Sequence, residues 1–238
     1  MPDFKHRSQQ IEIMDDLDCK GQVVDQTLHE LETINRLLGG NYVTLNGIDK
    51  LLCNKNKSHI YTLADLGCGG GDVLKLIAKW AIDKRYSLNL YGIDANRNII
   101  DFAKTNSKSF PQIKYEPLDI FSESFEAKTY DIVTGTLFFH HFNSNELASF
   151  FRQLKAQVKV GFVINDIHRN WFAYYSIKWL TKFFSKSDMV KYDAPLSVLR
   201  AFRKKELIEI LEKAEIKNYS LRWMWAFRWQ VVVKVNSQ

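Results

Sequence analysis

Apolar positions in the middle of the chain follow two different periods, which predict strands and helices in alternation. Short, nearly continuous apolar runs predict strands at 60–66, 88–93, 113–118, 131–137 and 160–165. Between them, apolar residues recur every three or four positions, which predicts helices at 71–84, 96–107 and 144–157. Because such alternation is built from right-handed crossovers, the middle of the chain is expected to form a parallel α/β sheet.

The segments before and after this alternation have other patterns. Helical spacing predicts two helices ahead of the first strand, at about 21–38 and 44–53, and Gly39 and Gly40 end the first of them. Residues 170–186 are rich in aromatic side chains and are predicted to be helical. The chain is predicted to close with a charged amphipathic helix at 199–214 and an antiparallel hairpin at 218–225 and 228–235.

Length, charge and cysteine content limit the number of domains and the classes of partner that the chain can have. The 238 residues suit one domain, and the formal net charge of +6 comes from lysines and arginines spread along the sequence. Without a concentrated basic arm, a nucleic-acid partner is not expected. Cys19, Cys53 and Cys68 have no zinc-binding spacing, and neither a signal peptide nor a membrane span is visible. We therefore expect a protein of a reducing, cytoplasmic environment.

The most specific motif follows the first predicted strand. Asp65 ends the strand, and Gly67, Gly69 and Gly71 then recur at every second position. The dinucleotide fingerprint would need a glycine at position 72, where this chain has Asp72. A glycine loop with an acid downstream also suits a nicotinamide cofactor, so an oxidoreductase stays open at this point. The arrangement resembles motif I of the class I S-adenosylmethionine (SAM)-dependent methyltransferases.

This resemblance implies a Rossmann-like methyltransferase fold: a mostly parallel seven-stranded sheet with an antiparallel C-terminal hairpin and helices on both faces. It implies a single domain over 1–238 with four parts: a helical cap at 1–58, a SAM-binding core at 59–169, an aromatic lid at 170–198, and a closing helix and hairpin at 199–238. Carboxylates at strand ends are also common helix caps, so each acid by itself is a weak indication.

The cofactor implied is SAM, and the matching positions imply roles. Asp94 would accept hydrogen bonds from the ribose hydroxyls, Asp119 from the adenine amino group, and Thr136 would lie near the methyl group. Arg36 either pairs with the methionine carboxylate or is a solvated residue at a helix end. The candidate cofactor-binding residues are Asp65, Gly67, Cys68, Gly69, Gly71, Asp94, Ala95, Asp119, Ile120, Thr136 and Arg36.

Candidate bases follow the fourth and fifth strands. His140 and His141 follow the fourth strand, while Asp166 and His168 follow the fifth. Imidazole can accept a proton near neutral pH, and a carboxylate can hold it in place. We expect His141 and His168 to form the acceptor-side pair, with Asp166 as support and His140 behind them. A metal is not expected, because acidic partners for these histidines are not evident beyond Asp166.

The acceptor is predicted from the fourth strand and from the aromatic segment. The chain lacks the Asn/Asp-Pro-Pro-aromatic motif of nucleobase and glutamine methylation, and resembles quinone- and phenol-modifying enzymes instead. We therefore expect a small, aromatic or hydrophobic acceptor, methylated on a hydroxyl oxygen. Residues 171–186 are predicted to cover it as a lid; the alternatives are a helix packed on the core, a homodimer contact, and a weak contact with anionic lipid. An RNA-modifying enzyme and a non-catalytic SAM-binding scaffold remain alternative functions.

Overall fold

Seven strands form one sheet in a computed structural model that describes residues 2–235. The strands are β1 (Ile60–Leu66), β2 (Ser87–Asp94), β3 (Ile113–Pro117), β4 (Tyr130–Thr136), β5 (Val158–Ile167), β6 (Tyr219–Met224) and β7 (Arg228–Lys234). Their order is β3-β2-β1-β4-β5-β7-β6. The first five run parallel, and β7 is antiparallel to both β5 and β6. The predicted sheet, with its antiparallel C-terminal hairpin, is confirmed.

Helices surround this sheet. They are α1 (Gln22–Leu37), α2 (Gly40–Leu52), α3 (Asp72–Lys84), α4 (Arg97–Asn106), α5 (Glu123–Glu126), α6 (Ser144–Gln157), α7 (Trp171–Phe184), α8 (Asp188–Arg200) and α9 (Lys204–Lys213). Short 3-10 turns lie at Ile13–Asp15 and Phe139–His141. The glycine loop joins β1 to α3, and the 3-10 turn at Phe139–His141 joins β4 to α6, so both lie at the carboxyl edge of the parallel strands.

The core lies on both faces of the sheet because the central strands are apolar at successive positions. Ile132 of β4 packs among side chains of α2 and α3, while its neighbour Val133 packs among those of α6 and α9. Both side chains are fully buried. Alternation along an extended strand sends successive residues to opposite faces, and a parallel sheet covered by helices needs both to be apolar.

The segment after β5 differs from the prediction. The single helix expected at 199–214 is wrong: α8 ends at Arg200, residues 201–203 are not helical, and α9 begins at Lys204. Buried Phe202 separates the two helices, since its N–H donates to the Ile167 carbonyl and its carbonyl accepts from Arg169. The sequence pattern missed α8, which contains Pro195 and has no distinct polar face.

Residues 3–17, which we call the N-terminal strap, cross the carboxyl edge of the sheet. The Ser8 N–H donates to the Leu199 carbonyl at 3.0 Å. The Arg7 guanidinium donates to the carbonyls of Arg200, His140 and Phe142 at 2.7–2.9 Å. Apart from the turn at Ile13–Asp15, the strap has no helix; the two helices predicted within 1–58 correspond to α1 and α2, which follow it. These hydrogen bonds hold the strap against α8 and the loop after β4.

Candidate active site

A cavity of about 820 Å³ opens at the carboxyl ends of β1, β2 and β4. The glycine loop forms its floor, and the strap, α1 and α8 enclose it from the other side. Among the predicted site residues, those that line it are Asp65, Gly67, Cys68, Gly69, Asp94, Ala95, Asp119, Ile120, Thr136, His140 and His141. Residues from several separate strand ends and loops therefore meet at one place, as the parallel topology requires.

The glycine loop needs residues without a side chain. Gly67 and Gly71 have φ values of +62° and +76°, which L side chains rarely adopt. A Cβ on Gly67 would collide with the Phe138 ring, and one on Gly71 with the Tyr115 hydroxyl. Gly71 does not line the cavity; it allows the turn from the loop into α3. Gly67 and Gly69 line the cavity without a side chain, so a ligand can lie directly on the loop backbone.

Asp65 is a buried carboxylate at the end of β1. Its side chain is 2% exposed, and its Oδ1 accepts a hydrogen bond from the Thr134 hydroxyl at 2.8 Å. Burial raises its pKa to about 7, and nearby Asp72 and Asp94 add to that rise. Burial likewise raises the pKa of Asp72 to about 6. This part of the cavity is thus short of positive charge and suits a cationic group.

The acids after β2 and β3 lie further along the same cavity. Asp94 accepts from the Asn96 N–H at 3.0 Å and from the Gly69 N–H at 3.4 Å, and burial raises its pKa. Asp119 is exposed to the cavity, and its Oδ1 accepts from the Phe121 N–H at 2.9 Å. Ile120 beside it is buried. The two carboxylates keep oxygen lone pairs available to polar groups of a ligand.

His141 is held by a residue of the strap. Its Nδ1 lies 2.5 Å from Oδ1 of Asp15, and the other oxygen of Asp15 accepts from Arg200. Arg200 also donates to the His141 carbonyl at 2.7 Å. Burial would raise the pKa of Asp15, but the bonds from His141 and Arg200 outweigh it and leave that pKa well below its usual range. An ionised carboxylate therefore orients the His141 ring and leaves Nε2 as its second nitrogen.

His140 is buried behind His141, between two carboxylates. Its Nδ1 lies 2.8 Å from Asp166, and its Nε2 lies 3.6 Å from Glu12 of the strap. Burial lowers its pKa, but Asp166 and Glu12 outweigh that effect and raise it to about 9. His140 is therefore protonated at neutral pH and balances the two acids.

Glu12, His140 and His141 are also the residues that suit a metal ion best in the part of the chain that the structure describes. Their ligand atoms lie within 4.8 Å of one another. The strap supplies the acidic partner that the sequence analysis did not find near the histidines. Protonated His140 and the nearby Arg200, 3.7 Å from Glu12, already balance the charge, so the cluster does not require a cation.

The predicted pairing of His141 with His168 is wrong. β5 ends at Ile167, and there the chain leaves the cavity edge: the His168 N–H donates to the Phe227 carbonyl, and the residue forms a bridge with Phe202. The His168 ring lies in a separate depression beside Trp229. Asp166, which was expected to support His168, contacts His140 instead and does not line the cavity.

Arg36 and the aromatic helix are also placed differently from the prediction. Arg36 is exposed and does not line the cavity, because its neighbour Asn35 occupies the inward side of α1. Trp171 and Tyr175 of α7 are exposed as well and do not line it. On that side the cavity is enclosed by the strap and α8. The cavity residues that the sequence analysis did not predict are Glu12, Asp15, Asp193 and Arg200. The one available signal was the cluster of acidic residues at 12–18, which lies ahead of the first predicted helix.

Comparison with known proteins identifies this arrangement. Residues 63–161, which carry the glycine loop and most of the β1 to β5 region, match the family model described as methyltransferase domain. The matched region is a methyltransferase domain, and the seven-stranded fold around it is that of the class I SAM-dependent enzymes. The match confirms the predicted resemblance to methyltransferases, and an oxidoreductase with a nicotinamide cofactor is set aside. No curated protein matches the chain by sequence.

Solved structures share the fold of this methyltransferase at low sequence identity. The plantazolicin methyltransferase BpumL, in complex with S-adenosylhomocysteine (SAH) and a triazolic analogue, is 15% identical with a TM-score of 0.66, over 88% of this chain and 90% of that one. Human N-acetylserotonin methyltransferase with SAM is 12% identical with a TM-score of 0.61, over 90% and 56%. Magnesium protoporphyrin IX methyltransferase from Synechocystis PCC 6803 with SAM is 14% identical with a TM-score of 0.55, over 94% and 89%.

Proposed function

We propose that the cavity binds SAM on the glycine loop and that this methyltransferase methylates a hydroxyl oxygen, most simply a phenol, of a small apolar acceptor. The observation that carries the proposal is the His141–Asp15 pair, which borders the same cavity as the glycine loop. Two structural neighbours are named as methyltransferases of small molecules, N-acetylserotonin and magnesium protoporphyrin IX, which supports the acceptor class.

The residues of the cavity fit this cofactor. Gly67 and Gly69 line the cavity without side chains, so the cofactor can lie on their backbone, and Asp65 and Asp72 suit the positive charge of the amino-acid part. Asp94 offers carboxylate oxygens for the ribose hydroxyls, and Asp119 for the adenine amino group. When bound, SAM supplies a methyl group on a sulfonium, which is activated without any covalent relay through the protein.

The remaining task of the protein is to align the acceptor and remove its proton. Because Asp15 occupies Nδ1 of His141, Nε2 is the atom that takes the proton from the hydroxyl. Ionised Asp15 then stabilises the imidazolium that forms. His140 positions His141, since the two rings lie against each other with centroids 4.3 Å apart and planes tilted by 31°, and it does not touch the acceptor itself.

The apolar part of the cavity suits an aromatic or hydrophobic acceptor. Phe121, Phe138 and Phe142 line it from the loops after β3 and β4, and Ile11 and Leu17 line it from the strap. When a phenolate attacks the methyl group of a sulfonium, the negative and positive charges neutralise each other. Such a reaction is faster where water, which stabilises the separate charges, is excluded. The strap and α8 provide that enclosure.

Product analysis tests the proposed acceptor. Purified protein is incubated with SAM and a panel of alkyl-substituted phenols and quinols, and products are detected by mass spectrometry, with bulk RNA as a parallel substrate. We expect a mass gain of one methyl group on at least one phenol and none on RNA. Methylation of RNA alone would favour the RNA-modifying alternative, and binding of SAH without any product would favour the scaffold; either result contradicts the proposal.

Replacing Asp94 with alanine is expected to weaken SAH binding by at least about 30-fold, because two charge-assisted hydrogen bonds to the ribose are lost. Asp119→Ala should weaken it less, since Asp119 is exposed and water can replace it. Isothermal titration calorimetry measures both. Asp101→Ala, an exposed acid on α4, is the control and should bind as the wild type does. Equal affinities for all four proteins would contradict the assignment of Asp94.

A further inference from the structure

Helix α7 presents a row of large aromatic side chains to solvent. These side chains, which we call the aromatic face, are 41–80% exposed; they are Trp171, Phe172, Tyr175, Trp179, Phe183 and Phe184. Soluble proteins rarely leave so much contiguous apolar surface in water, and a patch of this kind marks an interaction site.

The opposite side of α7 already holds the helix in the fold. Ala173, Tyr174 and Thr181 are buried, and the Tyr174 ring packs on Phe4 of the strap with centroids 5.6 Å apart. α7 also packs along α8. The aromatic face is thus not required for the core, and the active-site cavity does not use it either, because none of its residues lines that cavity.

The C-terminal hairpin extends the aromatic face. Phe172 contacts Phe227 with ring centroids 5.9 Å apart, and Phe227 contacts Trp223 at 6.0 Å. Trp223 and Trp225 are themselves at least half exposed. α7 and the C-terminal hairpin therefore form one continuous aromatic surface. This surface is wider than the contact that one helix makes with a partner helix.

Positive charge accompanies this surface; at its C-terminal end, Glu30 of α1 accepts hydrogen bonds from the Ser185 hydroxyl and the Lys186 N–H. Lys178, Lys182 and Lys186 recur at intervals of four residues, and no acidic residue occurs from 167 to 187. The Lys182 ammonium lies 5.3 Å from the centre of the Trp179 ring. Exposed Arg203, Lys204 and Lys205 border the depression that contains Trp171.

We infer that the aromatic surface binds the interface of a bilayer that contains anionic lipids. Tryptophan and tyrosine favour the headgroup region, and lysines beside them attract anionic headgroups. None of the helices within residues 2–235 meets the length and apolarity of a bilayer span, so the inferred contact is with the bilayer surface. A symmetric pair of copies would bring one lysine row close to the other, which disfavours self-association here. The inference does not depend on the proposed acceptor.

Co-sedimentation with vesicles tests it. Wild-type protein is mixed with phosphatidylcholine vesicles with or without phosphatidylglycerol. We expect binding that rises with the anionic lipid and falls with added salt. Neutralising three lysines in K178Q/K182Q/K186Q should lower the affinity about 100-fold, at roughly fivefold for each charge. W179A/F183A should lower it at least about tenfold.

Controls separate lipid binding from other causes. Ile82→Ser changes an equally exposed apolar residue on α3 and should bind vesicles as the wild type does. SAH affinity of every variant reports whether the fold and cofactor site are intact. Failure of the wild type to sediment with anionic vesicles, or equal binding by the variants and the wild type, would overturn the inference. So would a dimer in solution that W179A/F183A dissociates.

Discussion

Replacing Asp65 with asparagine is expected to remove most of the affinity for SAM and, at the same time, to stabilise the protein above pH 7. Both effects have one cause: Asp65 is a buried carboxylate with a single side-chain hydrogen bond, from Thr134. The negative charge of Asp65 destabilises the folded protein because it is buried, whereas the same charge attracts a cationic ligand. Stability given up at a binding site in this way is common in enzymes.

The direction of the pH dependence follows from the raised pKa. Burial raises the pKa of Asp65 to about 7 in the folded protein, against 3.8 for the free side chain. The folded state therefore binds more protons between these values, and stability falls as pH rises from about 4 to 7. The asparagine of D65N does not titrate, so the variant should be more stable at pH 8, by up to about 4 kcal/mol. For the wild type, SAH affinity should fall about tenfold between pH 8 and pH 6, as Asp65 takes up its proton.

Thermal unfolding at pH 5 and pH 8, with SAH titrations of the same samples, measures both effects. Asp83→Asn, an exposed acid on α3, is the control and should change neither. A D65N protein that binds SAH as tightly as the wild type, or that is less stable at pH 8, would contradict this account of Asp65.

The second large effect is expected at His141. His141→Gln should lower kcat by about 10²–10⁴-fold, because the acceptor hydroxyl loses the group that takes its proton. SAH affinity should stay within about twofold, since the cofactor is held by the glycine loop and the strand-end acids. Asp15→Asn should lower kcat less and should move the pH profile, because a neutral amide no longer stabilises the imidazolium.

Steady-state kinetics with an accepted phenol measure these changes. His168→Gln is the matched control, because His168 lies in a separate depression, and its kcat should match that of the wild type. A strong loss in H168Q together with normal turnover in H141Q would restore the sequence-based assignment of His168 and contradict the base proposed here.

The parts of the fold and site that sequence predicted well share a local cause. Asp65, Asp94 and Asp119 each lie at the end of a strand or shortly after one, and parallel strands bring such ends to a single edge. The carboxyl ends of an apolar run can be read from the sequence without knowing what packs on them. The same reasoning placed His141 at this edge, where it lines the cavity, because it follows β4 closely.

The missed parts depend on contacts between distant segments. Asp15 reaches His141 across 126 residues, and Glu12 and Arg200 join the same cluster from opposite ends of the chain. No period in residues 3–17 marks them as part of a site, since the strap is largely extended. The aromatic segment at 171–186 was predicted as the lid because it follows β5 directly, yet α8, which follows it, encloses the cavity. A segment's position directly after a strand shows at which edge of the sheet it begins. It does not show whether the segment covers the cavity at that edge.

Calorimetric titration of the wild-type protein with SAH, and separately with NADH, tests whether the carboxyl edge of β1, β2 and β3 forms one site for an adenosyl sulfonium compound. We expect one SAH bound per chain and no binding of NADH. Binding of NADH, or no binding of SAH at pH 8, would contradict the proposed site.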